Sequence, residues 1–350
     1  MTSRWWGLLV FWAICFGSVA VAQDKKEKEE PVEDKTLQSP ADGWPLKLTY
    51  YRSAEGKEAA VVVLLHMKNE SRLTWTAPKG FAEQLHAKGF AVVAVDLRKH
   101  GQSKPGAEDD DPKKAASTEK DKSKKASAGS ELKPADYLLM VRDMDGIKKF
   151  IFDEHQKGNL NMRKMAIVAP TMSAAIAITF VAADWKKPPF DDAPNIATRT
   201  PRGQDVQAMI FLSPETSLAQ VPAHLVAGQL KATPMAAFVV VGKTDSQDKD
   251  QAKRLFLQLG GDPAKTETSK KKAEPKKGTK EKEKDAEKGS EKKADDRFFY
   301  GELNTALRGT DLLGKNLKVE EFMLGFLEDH VKSLKGPVYE WRDRQSRLTE

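Results

Sequence analysis

Apolar runs recur along the chain at regular intervals, separated by amphipathic or polar stretches. Runs that are continuously apolar and rich in β-branched residues are typical of strands buried on both faces. Five runs have this character: Ala59–Leu65, Phe90–Val95, Met165–Val168, Val206–Leu212 and Met235–Val241. The alternating run Leu46–Tyr51 predicts a half-exposed strand, and Arg297–Tyr300 predicts one more strand.

Several stretches between these runs have the spacing of helices. In Pro134–His155, apolar residues recur at intervals of three and four, which predicts a helix with one buried stripe. The other predicted helices are Lys79–Lys88, Ser173–Ala183, Gln251–Leu259 and Val319–Ser333. Buried strands that alternate with helices predict an α/β fold, with a mostly parallel central sheet and helices on both faces. Such sheets place functional groups in loops at the carboxyl ends of the strands.

Three stretches lack the apolar residues that could offset the entropy cost of an ordered chain. Residues 23–43 form a charged tail, and two lysine-rich insertions cover 104–133 and 262–296. We expect all three stretches to be disordered. Residues 44–334, apart from the insertions, then form one domain, and a C-terminal tail follows at 335–350.

The amino terminus has the pattern of a secretory signal peptide. Arg4 precedes a short apolar run that ends at Phe16, and Ala20-Val21-Ala22 is a small-x-small cleavage sequence. An uncleaved anchor is the alternative, but the run is shorter than the roughly 18 residues a membrane span needs. Cleavage after residue 22 predicts an exported protein, periplasmic or extracellular, with no transmembrane segment left. The only cysteine, Cys15, would leave with the peptide, which excludes disulfides and cysteine nucleophiles.

The net charge of +7 raises the question of a polyanionic partner. The second insertion, however, contains 12 lysines against 10 acidic residues, with no arginine and no aromatic residue among them. This pattern indicates a solvated polyampholyte rather than a nucleic-acid surface. We also expect no metal and no cofactor. The acidic run Asp109-Asp110-Asp111 lacks the turn and spaced oxygens of a calcium loop, and no glycine-rich phosphate loop precedes a helix.

Two strand-end segments resemble motifs of a known family. Leu64-Leu65-His66-Met67-Lys68 is similar to a His-Gly-x motif, with Met67 in place of the glycine. Val95–Ser103 resembles an Asp-x-Arg-Gly-His-Gly-x-Ser turn, with Lys99 in place of the first glycine. Both motifs are those of α/β-hydrolases. The resemblance extends over 44–334, apart from the insertions.

The resemblance implies a catalytic triad at three strand ends, and this chain departs from it at two of them. The nucleophile elbow corresponds to Ala169-Pro170-Thr171-Met172-Ser173, which puts Thr171 at the nucleophile position. Arg308 occupies the position of the histidine, and an arginine stays protonated and cannot act as a base. Asp245 stands at the acid position, although a turn aspartate that caps the following helix is the alternative.

These departures leave three hypotheses for function. The family's oxyanion-stabilising amides correspond to those of Lys68 and Met172, so an ester or amide hydrolase that uses Thr171 is one hypothesis. A scaffold that binds anionic polymers through its lysine-rich loops is another. We expect the third, a non-catalytic protein that binds an unknown small molecule or an envelope protein. In it, Arg308 would pair with Asp245 and preserve the loop geometry without a base.

Overall fold

The computed structural model describes residues 31–105, 132–262 and 297–348. The predicted signal peptide lies outside the described residues, as do most of the two predicted insertions. The acidic run Asp109-Asp110-Asp111 lies outside them as well.

One eight-stranded sheet forms the centre of the fold. Its strands are β1 (Val32–Gln38), β2 (Pro45–Tyr51), β3 (Val61–Leu64), β4 (Ala91–Val95), β5 (Met165–Pro170), β6 (Val206–Leu212), β7 (Ala236–Gly242) and β8 (Phe298–Leu303). Across the sheet they stand in the order β1-β2-β4-β3-β5-β6-β7-β8. The pairs β1–β2 and β2–β4 are antiparallel, and all the others are parallel. The predicted mostly parallel sheet is therefore confirmed.

Helices cover both faces of the sheet, as the alternation of patterns predicts. They are α1 (Leu73–Thr76), α2 (Phe81–Ala87), α3 (Pro134–Gln156), α4 (Ser173–Trp185), α5 (Ala223–Val226), α6 (Lys249–Leu259) and α7 (Val319–Leu327), which continues as a π-helical turn over Glu328–Lys332. Helices α3 to α6 pack on one face, and α1, α2 and α7 pack on the other. Of the described helices, none is long and apolar enough to cross a membrane.

Strand β3 illustrates why continuously apolar runs form the centre of this sheet. Successive side chains of a strand point to opposite faces. Val61 and Val63 accordingly join the hydrophobic cluster beneath α3 and α4, and Val62 and Leu64 join the cluster beneath α2 and α7. Both faces are dry, so every position of the strand is apolar.

The expected disorder of residues 23–43 is wrong for part of that tail, because Val32–Gln38 forms the edge strand β1. Pairing with β2 satisfies its backbone, and its charged side chains find partners beside it. Glu33 contacts Arg52 at 3.2 Å. The hydroxyl of Thr49 donates to Asp34 at 2.5 Å. A charged edge strand is stabilised by its neighbour rather than by burial, and charges at an edge disfavour pairing with other chains.

Strand β2 is also more buried than its alternating sequence predicts. Leu48 and Tyr50 are fully buried, and the ring of Tyr50 lies edge-on against Phe150 of α3, with 5.2 Å between the ring centres. On the other face, the buried Arg72 donates from Nε to Thr49 at 2.9 Å. The guanidinium of Arg72 therefore covers the polar face of β2, which the alternating sequence assigns to solvent.

The predicted C-terminal tail packs against the body of the protein over its described part, up to residue 348. The indole of Trp341 lies 5.0 Å from the ring of His155 and donates to its backbone carbonyl. Three residues further on, Arg344 is buried and donates to both carboxylate oxygens of Asp205. This segment contributes to the fold.

Candidate functional site

Thr171 lies at a sharp turn between β5 and α4. Its φ of +42° is in the left-handed region, which a β-branched residue rarely adopts. Its amide donates to the carbonyl of Leu212 at 2.9 Å, and its carbonyl accepts from the amides of Ala174 and Glu215. Three backbone hydrogen bonds therefore hold a strained residue in place, in the manner of a nucleophile elbow.

The side chain of Thr171 is buried, with 6% of the residue exposed. In the described part of the chain, its hydroxyl makes no hydrogen bond to a side chain or to the backbone. Ser173, two residues on, instead donates its hydroxyl to the carbonyl of Pro170 at 2.6 Å. Ser173 is thus occupied locally, as expected of a small residue at a glycine position.

The loop after β8 meets the elbow at Gly309. A side-chain carbon added to this glycine would lie 2.1 Å from Sδ of Met67 and 2.9 Å from the methyl group of Thr171. Gly309 also has a φ of +52°, so both space and backbone conformation favour glycine there. The loops after β3, β5 and β8 therefore converge, and the thioether of Met67 packs against the glycine that follows Arg308.

Glu70, which the motif comparison does not identify, ties two of these loops together. One of its carboxylate oxygens accepts from the amide of Met67 at 3.3 Å, and the other accepts from the hydroxyl of Thr310 at 2.7 Å. The expected oxyanion amides, those of Lys68 and Met172, make no hydrogen bond within the described residues. A carboxylate nevertheless stands in the Lys68 loop, where it opposes any second negative charge that develops nearby.

Arg308 lies among three carboxylates. Its guanidinium contacts Asp248 at 2.5 Å and Glu215 at 3.2 Å, whereas Nε is 3.7 Å from Asp245. The expected ion pair with Asp245 is present at this distance, but the nearest partner is Asp248, three residues later at the amino end of α6. Burial acts to lower the pKa of Arg308, but the hydrogen bond to Asp248 and the surrounding carboxylates outweigh it and raise the pKa.

Asp245 has one carboxylate oxygen that accepts hydrogen bonds and one that accepts none, although Nε of Arg308 stands 3.7 Å from the latter. Oδ1 accepts from the amides of Gln247 and Asp248 in the turn that leads into α6. Both amides precede the first residue of the helix, so Asp245 holds the turn and does not cap α6 itself. Oδ2 is buried and has no hydrogen-bond partner. The hydroxyl of Ser213, at a φ of +47° after β6, is likewise buried without a partner. Two buried oxygens without a hydrogen bond, Oδ2 of Asp245 and the hydroxyl of Ser213, thus lie at neighbouring strand ends.

Asp248 is almost fully buried beside this pair, with 1% of the residue exposed. Burial raises the pKa of its carboxyl to about 6, although the hydrogen bond from Arg308 acts to lower it. Two further carboxylates, Asp245 and Glu215, add to the rise. One guanidinium therefore does not compensate the cluster fully. Sequence reasoning missed Asp248 because its only signal was its place three residues after Asp245.

All six histidines of the chain lie in the described ranges, and none of them hydrogen-bonds to Thr171. His66 lies nearest in sequence to the site, but both of its ring nitrogens are occupied elsewhere. Nε2 accepts from the amide of Leu97 at 2.9 Å, and Nδ1 lies 2.7 Å from the carbonyl of Met67. Burial lowers the pKa of His66 to about 4, so it stays neutral and supports the loop.

No metal-binding cluster of histidine, cysteine, aspartate and glutamate occurs in the described part of the chain. Arg308 occupies the centre of the acidic group formed by Asp245, Asp248 and Glu215. The described residues of this site can thus hold a cation only in competition with a guanidinium.

Comparisons with known proteins give structural likenesses alone. No family model matches the sequence, and no curated protein matches it. The structure of DcsB in complex with its substrate analogue is similar, with 11% identity, a TM-score of 0.50, and coverage of 86% of this chain and 99% of that one. An esterase of Pyrococcus furiosus has 13% identity, a TM-score of 0.49 and coverage of 86% and 93%. The thioesterase domain from the curacin biosynthetic pathway has 12% identity and a TM-score of 0.46, and the match covers 85% of this chain and 99% of that one.

Proposed function

The chain has the α/β-hydrolase fold, and on that premise we propose that it is a non-catalytic, exported hydrolase-like protein that binds a ligand or partner. One observation carries the proposal. Arg308, at the position that the α/β-hydrolase resemblance assigns to the catalytic base, is held by ion pairs with Asp248, Glu215 and Asp245.

The missing base is the strongest argument against hydrolysis. A hydroxyl attacks a carbonyl efficiently only when a neighbouring base accepts its proton. Arginine keeps its proton over the whole accessible pH range, and the carboxylates around Arg308 raise its pKa further. Since nucleophile and base act as a unit, losing the base alone removes nearly all of the triad's contribution to the rate.

The loop after β3 adds a second argument. An oxyanion hole stabilises a developing negative charge with preorganised donors. Here the carboxylate of Glu70 is bound to the amide of Met67, and the side chain of Met67 lies against Gly309. Negative charge and apolar bulk both stand close to the place where a hydrolase needs donors and open space. These features are compatible with a fold kept for binding.

A hydrolase that uses Thr171 is the second candidate, and one observation favours it. The elbow keeps a positive φ of +42° at a β-branched residue, and such strain is typical of functional sites. The hydroxyl of Thr171 also has no hydrogen-bond partner within the described residues, which leaves it available. This candidate still requires a base that the described site does not supply.

Activity-based labelling separates the two candidates. We expect the mature protein to show no labelling by a fluorophosphonate probe and no turnover of p-nitrophenyl acetate above that of Thr171→Val. Valine keeps the branched shape that packs against Gly309 and removes only the hydroxyl. Turnover by the wild type that this substitution abolishes would overturn the proposal and favour the hydrolase.

A restored triad provides the positive control. Thr171→Ser combined with Arg308→His returns nucleophile and base, and each single substitution restores only one of them. We expect both single variants to stay at background. Detectable labelling of the double variant alone would indicate that the elbow is still correctly shaped.

Export is part of the same proposal and rests on residues 1–22, outside the described structure. The proposed mature chain begins at Gln23, after Ala20-Val21-Ala22. N-terminal sequencing of the exported protein tests this, and an amino terminus that still carries Met1 would contradict it. The partners we propose, a small molecule or an envelope protein, follow from that location.

A further inference from the structure

A cavity of about 650 Å³ lies at the opposite edge of the sheet from Thr171. Its walls are α3, the segment after α4 and the C-terminal segment. Met162 lines it shortly before β5 begins, and the buried Asp205 beneath it immediately precedes β6. The cavity therefore stands at the amino ends of these parallel strands, whereas Thr171 and Asp245 follow the carboxyl ends of β5 and β7.

The lining combines apolar and basic side chains. Phe152, Met162, Phe190 and Leu348 supply apolar surface. Five basic residues line the cavity together with one acidic residue, Asp145. The basic residues are Lys148, Lys149, Lys187, Arg202 and Arg344. Ligand cavities commonly measure about 300 to 1,000 Å³ and pair apolar walls with a few polar groups, and this cavity has both properties.

Two of these basic residues, Lys148 and Arg344, are paired with buried carboxylates beneath the cavity. Lys148 contacts Asp184 at 2.6 Å and Asp205 at 2.7 Å, and Arg344 donates to both oxygens of Asp205. Burial acts to raise the pKa of Asp205, but Arg344 and Lys148 outweigh it and lower the pKa. Lys187 contacts Asp184 at 3.4 Å and Asp145 at 3.2 Å, so three cations face three anions in a balanced ionic network. Lys149 contacts Asp153 at 3.0 Å, which leaves Arg202 as the basic residue of the lining without a carboxylate partner among the described residues.

Two donors remain without an anionic partner. Arg202 is exposed, pairs with no carboxylate within the described residues, and lies 5.3 Å from the centre of the Phe190 ring. The Nε of Arg344 is buried and has no hydrogen-bond partner. Arg344 is only 3% exposed, so its Nε costs stability as long as no acceptor atom forms a hydrogen bond with it.

We propose that this cavity binds a small organic anion with an aliphatic or aromatic part, of which a medium-chain carboxylate is the simplest representative. Arg202 pairs with the carboxylate. The hydrocarbon part lies against Phe190 and Phe152. An organic cation of the same size would meet the unpaired guanidinium of Arg202, whereas the carboxylates of Asp145, Asp184 and Asp205 already have lysine or arginine partners. The site is separate from the loops around Thr171, so it does not depend on whether the protein is catalytic.

Calorimetric titration of the mature protein with sodium octanoate tests the proposal. We expect saturable binding that strengthens by about fourfold for each methylene group added from hexanoate to octanoate, since each buried methylene contributes favourably. Octylammonium chloride has the same chain and the opposite charge, and it should not bind.

Substitutions locate the site. Arg202→Ala should weaken octanoate binding about tenfold, the usual loss for a hydrogen bond to a charged group. Phe190→Ala should weaken it by a similar factor. Arg254→Ala removes an exposed arginine of α6 and serves as the matched control, with no change expected. Thermal unfolding of each variant checks that it remains folded.

Three outcomes would overturn the assignment. They are no saturable octanoate binding, equal binding of octanoate and octylammonium, and unchanged affinity in both Arg202→Ala and Phe190→Ala. Thr171→Val should bind octanoate like the wild type. A loss of binding in that variant would place the ligand at the other edge of the sheet, and it is a fourth outcome that would overturn the assignment. The octanoate titrations do not affect the outcome of the fluorophosphonate labelling. The cavity proposal and the proposed lack of hydrolase activity can therefore fail independently of each other.

Discussion

Two arginines pair with buried aspartates at opposite edges of the sheet. Arg344 meets Asp205 near the amino end of β6, and Arg308 meets Asp248 beyond the carboxyl end of β7. Both aspartates are buried almost completely. The arginines differ in exposure, since 2% of the Arg344 side chain and 34% of the Arg308 side chain reach solvent.

The balance of charge around each pair explains why the two aspartates behave differently. Arg344, Lys148 and Lys187 face three carboxylates, and the pKa of Asp205 is lowered. The three carboxylates are those of Asp205, Asp184 and Asp145. Arg308 alone faces three carboxylates, and the pKa of Asp248 is raised to about 6. Burial raises the pKa of both groups, so the number of cations nearby decides the direction. One edge is a balanced structural network, and the other retains excess negative charge.

The largest expected effect comes from breaking the balanced network. Arg344→Ala should lower the free energy of unfolding by about 3 to 5 kcal/mol, because it leaves the ionised Asp205 buried with only Lys148 to compensate it. Urea unfolding of the mature protein measures this change. Arg347→Ala alters an exposed arginine of the same segment and should cost less than about 0.5 kcal/mol. Equal effects of the two substitutions would contradict the assignment of Arg344 as a structural residue.

The strands show how far apolar patterning predicts this fold. Runs such as Val206–Leu212 are apolar because helices cover both faces, and burial is visible in the sequence. Strand β1 was missed because its charged residues resemble those of the tail before it. What orders it is pairing with β2 and contacts such as that of Glu33 with Arg52, which depend on residues distant in sequence.

The candidate site was also predictable only in part, because local motifs report the positions of residues but not the contacts between distant loops. Motif spacing placed Thr171 at a turn that the structure finds strained, and it placed Arg308 beside an acidic loop. Spacing could not choose between Asp245 and Asp248, which lie three residues apart on one turn of chain. The contact of Glu70 with Thr310 joins loops 240 positions apart, and no local pattern reports it.

The second effect is a pH dependence that the carboxyl of Asp248 contributes at the unbalanced edge. The pKa of Asp248 is about 6 in the folded protein and near 4 in an unfolded chain. Its contribution to stability is therefore fully present below about pH 4 and is lost as the pH rises through 6. We expect this loss to reach about 2 to 3 kcal/mol, measured by urea unfolding between pH 4 and 7 as the difference between the wild type and Asp248→Asn. The difference is needed because histidines with a lowered pKa, such as His66, add stability in both proteins as the pH rises over this range.

Substitution of the carboxyl tests the source of this dependence. Asp248→Asn should remove the part of the profile that this carboxyl contributes between pH 4 and 7, while the contribution of the buried histidines, such as His66 and His155, remains. Asp250→Asn, at an exposed position on the same helix, should leave the profile unchanged. Asp205 makes the opposite contribution, because a lowered folded pKa gives stability that is lost as the pH falls. A profile that Asp248→Asn does not alter would show that another group titrates.

The smallest effect is expected from Arg308→Ala. At pH 7 it should lower the free energy of unfolding by about 1 kcal/mol, since a third of the side chain is exposed and water screens the pair. The cost should shrink at pH 4.5, where Asp248 is mostly protonated and needs no cation. The cost of Arg344→Ala should persist at pH 4.5, because the lowered pKa of Asp205 keeps that carboxylate ionised. Parallel urea titrations of both variants at the two pH values measure the contrast. If the cost of Arg308→Ala stays constant from pH 7 to 4.5, the guanidinium stabilises these loops by packing, and the charge imbalance at this edge has no energetic consequence.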